Sequence, residues 1–209
     1  MKKQFATLLV SLCLTAGFAQ APQAAPVAGK DYEVMKSPQP VSAPAGKVEV
    51  IEFFWYGCPH CYSFEPTLEA WVKAQGDKIA FTRVPVAFRS EFVPHTQMFY
   101  ALEALGAAEK ATPAVFNAIH KQKNYLLTPQ AQADFLATQG IDKKQYQDAY
   151  HSFSVQGQVK QSTETAKRYD VQGVPVVVVQ GRYKTGPSYA GSPANAARVL
   201  DFLLKSSSP

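Results

Sequence analysis

The 209-residue chain has only three cysteines, at positions 13, 58 and 61. With no second cysteine pair, a multiply stapled scaffold and a four-thiolate zinc site are both excluded. Long apolar runs are equally scarce: the stretch from Phe5 to Leu14 is too short to cross a bilayer, and nothing later in the chain is longer. Charge of one sign is in small excess, with 21 Lys and Arg against 16 Asp and Glu, a formal net charge of +5 and no long basic block. That balance argues against nucleic acid as a partner.

The first residues, MKKQFATLLVSLCLTAGFAQA, place Lys2 and Lys3 ahead of the apolar run and small residues after it. This is the layout of a secretory signal peptide, with cleavage expected after Ala19, where Gly17 and Ala19 meet the small-x-small preference. Cleavage removes Cys13 and leaves Cys58 and Cys61 as the sole thiol pair of an exported protein. The remainder, at 46% hydrophobic over the whole chain, is long enough to bury a core without help from a disulfide.

Residues 20–46 carry five prolines and read as an extended leader, with DYEVM as an edge strand. KVEVIEFFW is nearly continuously apolar and β-branched or aromatic, as for a central strand covered on both faces, and Glu52 interrupts it. A helix follows from the CPHC motif, with Pro59 suited to its first position, Cys61, Phe64, Leu68, Trp71 and Val72 at helical spacing, and Pro66 inside it as an expected kink. KIAFTRVPV returns to a strand, with Ile79, Phe81 and Arg83 on one face. Residues 91–169 then read as an all-helical block, with starts expected at Thr112-Pro113, Thr128-Pro129 and Asp142. VPVVVVQGRYKTGPSYAG resumes strand chemistry, a buried strand and a more polar one about Gly181. SPANAARVLDFLLK closes the chain as a helix capped by Ser192. The outcome is an α/β protein of residues 47–90 and 170–209, its sheet interrupted in sequence by an inserted all-helical domain.

Four chemistries compete for Cys58-Pro59-His60-Cys61. Attachment of c-type haem needs a His directly after the second Cys, and Tyr62 stands there. Zinc needs about four ligands, and His60, His95, His120 and His151 are scattered. A structural disulfide across two residues closes a ring too small to stabilise much. A redox-active pair at a strand-to-helix junction fits best. There the Cys58 sulfur can accept from the free N–H groups of His60 and Cys61 and feels the positive end of the helix, both of which favour thiolate. A protonated His60 adds a further charge. Cys58 is therefore expected to be exposed and attacked, and Cys61, buried one turn on, to resolve. His95, His120 and His151 read as helix-surface residues.

IEFFWYGCPHCYSFEP resembles the active-site segment of the DsbA family of bacterial periplasmic disulfide oxidases, in the thioredoxin superfamily, and the likeness runs from about Gly29 to Leu204. It implies a thioredoxin-like fold with the helical insertion. From Cys61 to Pro175 there are 114 positions, where a helix, a strand and a helix need only about 40 to 45. It further implies a cis bond at Val174-Pro175 facing the cysteine pair, with the Val174 backbone free to pair with an extended substrate. Glu52 corresponds to the family's buried acid beneath the disulfide, either a proton relay for Cys61 or an ordinary salt-bridge partner. Arg83 stands where the family has a Lys, and a guanidinium cannot give up its proton, which leaves Arg83 as a charge partner. The resemblance implies a monomeric periplasmic oxidase without cofactor or metal, acting on unfolded cysteine-containing exported proteins and reoxidised by an inner-membrane, quinone-linked partner of the DsbB type. The rival readings are a disulfide isomerase or reductase, for which residues 20–46 are too short to add a dimerisation domain, and a chaperone-like binding protein.

Overall fold

A computed structural model describes residues 24–207; the expected signal peptide lies outside them. A five-stranded sheet has the order β1-β5-β4-β2-β3, built from β1 (Glu33–Val34), β2 (Val48–Phe54), β3 (Ile79–Pro85), β4 (Val176–Val179) and β5 (Tyr183–Thr185). Strand β2 runs parallel to β3, to which helix α1 (Pro59–Gln75) connects it, and antiparallel to β4. All seven residues of β2 are buried, which is why it lacks the alternating polarity of a half-exposed strand.

The pleat divides β2 between two cores. Val48 and Val50 pack with Val177 and Val179 against Phe64, Leu68 and Trp71 of α1 and against Val199, Leu200 and Leu203 of α8 (Pro193–Ser207). Ile51 and Phe53 point the other way, toward Val176, Val178, Ala166 and Tyr169. Glu52 therefore lies on the α1 face, opposite Arg83 in the β2–β3 register.

Between β3 and β4 the chain forms α2 (Val93–Ala104), α3 (Ala108–His120), α4 (Pro129–Thr138), α5 (Lys143–Tyr150) and α6 (Phe153–Arg168). Their apolar faces meet in a third core around Phe99, Leu102, Val115, Phe116, Leu136 and Tyr146. It continues into Phe54, Tyr56, Cys58 and Cys61, so the helical core and the cysteine pair share one packing unit. Thr128, Asp142 and Ser192 cap their helices through side-chain oxygens, as the sequence predicts. The Thr112-Pro113 start does not occur. Gly106, at φ +64°, lets the chain leave α2 and re-enter a helix at Ala108, so Pro113 sits inside α3. Ser152 supplies a cap for α6 that the sequence reading passed over. The second polar strand is also shorter than expected, because Pro187 starts a one-turn helix, α7 (Pro187–Ala190), directly after β5.

The leader is bound to the sheet. Met35 N–H donates to the Arg182 carbonyl and Gln39 N–H to that of Gly181, both at 2.8 Å. Gly181, at φ +57°, has the Gln39 carbonyl where a Cβ would be.

Phe54 joins sheet to helices: it is wholly buried, with ring contacts to Tyr56, Phe99 and Phe116 at 5.1, 5.3 and 6.2 Å between centroids. Phe54→Ala is expected to cost about 3–5 kcal/mol, read as a lower urea midpoint with an unchanged slope. A loss under about 1 kcal/mol would mean that the two cores are not coupled through this ring.

Candidate active site

Strand β2 ends at Phe54, the chain turns through Trp55, Tyr56 and Gly57, and α1 begins at Pro59, whose absent N–H would have had no partner in the first turn anyway. Cys58 is the N-cap residue of α1. Its sulfur accepts from the Cys61 N–H at 3.4 Å, and its own N–H closes the turn on the Trp55 carbonyl at 3.0 Å. Both cysteines are free thiols. Cys61 is 1% exposed and Cys58 7%. The expectation of an exposed Cys58 is therefore corrected: the segment bearing Val174 comes back over it, and the Cys58 thiol donates to the Val174 carbonyl at 3.4 Å.

The Val174–Pro175 bond is cis. Gly186 allows the Pro175 carbonyl to pass close by, since a Cβ there would sit 2.8 Å from that oxygen. Cys58, Cys61, Val174 and Pro175 are thus brought together at one end of the sheet.

The two sulfurs differ sharply in acidity. The Cys58 pKa is lowered to about 6, first by a hydrogen bond from the Cys61 side chain, then by the N–H groups of Cys61 and His60, with the charge of His60 a smaller cause and burial acting in opposition. Burial pushes the Cys61 thiol up, as do its hydrogen bond to Cys58 and the negative charges of Cys58 and Glu52. His60, exposed on the first turn, contributes less than its place in the motif suggests.

Beneath the pair lies a buried charge cluster. Arg83 Nε donates to Glu52 Oε2 at 2.8 Å, and Arg83 Nη2 donates to both oxygens of Glu65 at 2.8 and 3.0 Å. Glu69, on the next turn of α1, lies 3.5 Å from the same nitrogen. Burial pushes the Glu52 carboxyl up, and it pushes that of Glu65 to about 7, helped by the charge on Glu52. Burial disfavours the charge on Arg83, but Glu52 and Glu65 together outweigh it and hold the guanidinium firmly protonated. With one cation against two buried carboxylates, Oε1 of Glu52 has no hydrogen-bond partner.

Sequence reasoning paired Glu52 with Arg83 but missed Glu65. Its signal was available, because Glu65 lies four residues beyond Cys61 on the buried stripe of α1. His95 is also corrected: it is 2% exposed, where the sequence placed it on a helix surface, because α2 is buried around most of its circumference. His120 is half-buried and stacks on Tyr62, whereas His151 is exposed just after α5. Among the described residues no group of three or more His, Cys, Asp or Glu is placed to hold a metal ion.

The model of the DSBA-like thioredoxin domain matches residues 49–195. The chain is 72% identical to the thiol:disulfide interchange protein DsbA of Burkholderia cepacia, over 98% of this chain and 97% of that one. It is 42% identical to the protein of the same name from Pseudomonas aeruginosa strain PAO1, over 95% and 94% of the two chains. The crystal structure of Pseudomonas aeruginosa DsbA superposes with a TM-score of 0.81 at 43% identity, covering 86% of this chain and 93% of that one.

A cysteine whose folded pKa lies below its unfolded value stabilises the reduced protein fully above the unfolded value, and this contribution fades as pH falls through the folded one. With Cys58 near 6, reduced protein is expected to melt above oxidised protein at pH 7, with the gap narrowing as pH drops through about 6. The reverse order at pH 7 would refute a stabilised thiolate. His60→Ala should raise the pH of half-maximal Cys58 alkylation only slightly, and a shift as large as that from losing the Cys61 side-chain hydrogen bond in Cys61→Ala would make His60 an equal cause of the acidity of Cys58 and refute its minor role.

Proposed function

The chain belongs to the DsbA family and is a thiol:disulfide interchange oxidoreductase, and within that activity we propose that it donates the Cys58–Cys61 disulfide to newly exported, cysteine-containing proteins in the periplasm. The observation that carries this reading is the unequal pair: a Cys58 sulfur stabilised as thiolate beside a Cys61 held as thiol. A stable thiolate is a good leaving group, so a mixed disulfide at Cys58 is readily released to the client, and the enzyme's own disulfide is oxidising.

A client thiolate attacks Cys58 Sγ, the Cys58–Cys61 bond breaks, and Cys61 leaves and takes up a proton. A second client thiolate attacks the client sulfur of the mixed disulfide, the client disulfide forms, and Cys58 departs as thiolate. Two electrons thus pass from client to enzyme. The Val174 carbonyl, 3.4 Å from Cys58, marks where an extended client strand would pair with the chain. Glu52 and Glu65, both pushed toward protonation by burial, are suited to exchange the proton that Cys61 gains and loses, and Arg83 holds them in place. Return to the disulfide requires an external oxidant, for which a quinone-linked inner-membrane partner of the DsbB type fits the family. The expected signal peptide supports export.

Equilibration with a glutathione buffer tests the reading. The protein should remain largely reduced in mixtures rich enough in oxidised glutathione to oxidise a thioredoxin-like pair fully, and Cys58→Ala should abolish oxidation of a reduced client. A pair as reducing as thioredoxin would favour the reductase reading. Client folding unchanged by Cys58→Ala would favour a chaperone. Membranes containing quinone should restore the disulfide, and failure to do so would remove the DsbB-type partner.

A further inference from the structure

The approach to Cys58 is gripped by the helices inserted between β3 and β4. The indole of Trp55 lies across Gly57, where any Cβ would overlap it, and meets the Phe92 ring at 4.0 Å between centroids with the planes tilted by 32°. Its Nε1–H donates to His95 Nδ1 at 3.0 Å. An indole nitrogen can only donate, so Nδ1 of His95 is bare and the ring proton sits on Nε2, which donates to the Tyr125 carbonyl at 2.8 Å. Burial lowers the pKa of His95, in keeping with this neutral form.

A second histidine grips the backbone of the same turn. His120 Nε2 donates to the Tyr56 carbonyl at 2.8 Å. The His120 ring is stacked on Tyr62 at 4.8 Å between centroids with 10° between the planes, and the Tyr62 hydroxyl donates to Asn117 Oδ1 at 3.1 Å. A third grip joins the Tyr56 and Thr112 hydroxyls, 2.9 Å apart. Helices α2 and α3 supply His95, Thr112, Asn117 and His120; Phe92 lies just before α2, Tyr125 follows α3, and Tyr62 lies beside Cys61 on α1.

We propose that His95 and His120 are positioning residues of the redox turn: through the Trp55 indole and the Tyr56 carbonyl they hold the Cys58 sulfur on the N–H groups at the mouth of α1, so that the helical block tunes how oxidising the pair is. Neither ring touches a sulfur; each acts through the turn. The Cys61 N–H reaches the Cys58 sulfur at 3.4 Å, and because a hydrogen bond weakens with displacement and misalignment, a shift of the turn is felt at the sulfur. The inference rests on the oxidase reading and adds to it a cause located outside the motif.

The test is made on the full chain, with folding checked by circular dichroism. His95→Leu and His120→Leu are each expected to move half-maximal Cys58 alkylation to higher pH and to shift the glutathione equilibrium roughly fivefold toward the enzyme disulfide. His95→Asn, whose Oδ1 can stand in for Nδ1, and His120→Gln, whose Nε2 can stand in for the ring Nε2, should restore both readouts; a purely structural role gives no such selective rescue. Trp55→Phe keeps a ring over Gly57 but has no N–H, so it should shift as His95→Leu does and add nothing when combined with it. If the leucine variants do not fold, Trp55→Phe carries the test. Folded leucine or Trp55→Phe variants with a wild-type alkylation curve and equilibrium overturn the proposal, as do Asn and Gln variants that shift like the leucine ones. A weakly oxidising wild-type protein whose leucine variants still shift would overturn the oxidase reading and leave the two histidines in their role.

Discussion

A sulfur at the mouth of a helix is the constraint around which the rest of the molecule is arranged. The donors that stabilise it belong to α1, but they are useful only if the preceding turn delivers Cys58 to the N-cap position. That delivery depends on β2 ending in the right place, on Gly57 lying flat under an indole, and on the Val174 segment closing over the top. Sheet, inserted helices and returning strand each contribute one wall. No single element forms the site.

The charge cluster under α1 is a second, opposed constraint. Burying Glu52 and Arg83 of the sheet with Glu65 of α1 is costly, and the geometry offsets this only in part, since one oxygen of Glu52 is left without a partner. Buried ion clusters of this kind are often no more stabilising than well-packed hydrocarbon of the same volume. The trio also acts on the redox pair, since the charge of Glu52 helps to push the Cys61 thiol up. Arg83 is the fixed member: its charge does not titrate, so protonation within the cluster falls to the carboxyls.

Much of this was legible from residue order. The apolar run of β2, the Pro59 start, the caps at Thr128, Asp142 and Ser192, and the facing of Arg83 all follow from local chemistry, and the structure has them. What escaped the reading was set by partners far along the chain. Cys58 looked open because Val174, 116 positions away, is invisible to spacing. His95 looked superficial because helical periodicity describes one helix, and α2 is enclosed by several. Pro113 looked like a helix start because that is where proline costs least, yet Gly106 had already restarted the chain at Ala108. Glu65 failed for the opposite reason: the pattern that buries Cys61, Phe64 and Leu68 includes it, and a carboxylate there was passed over in favour of the apolar positions.

The ties between the leader and the β4–β5 turn, and between β2 and β4, have a consequence for how the molecule comes into being. Asp31 is joined to Thr185 across 154 positions and Trp71 to Asp201 across 130, while β2 must wait for β4 to gain its antiparallel neighbour. Such non-local pairing makes closure slow compared with the formation of single helices. A chain that emerges N-terminus first, from a ribosome or a translocon, therefore presents both thiols well before the residues that cover them have appeared. During that interval the protein is itself an unfolded polypeptide with two unprotected cysteines, chemically like the clients proposed for it.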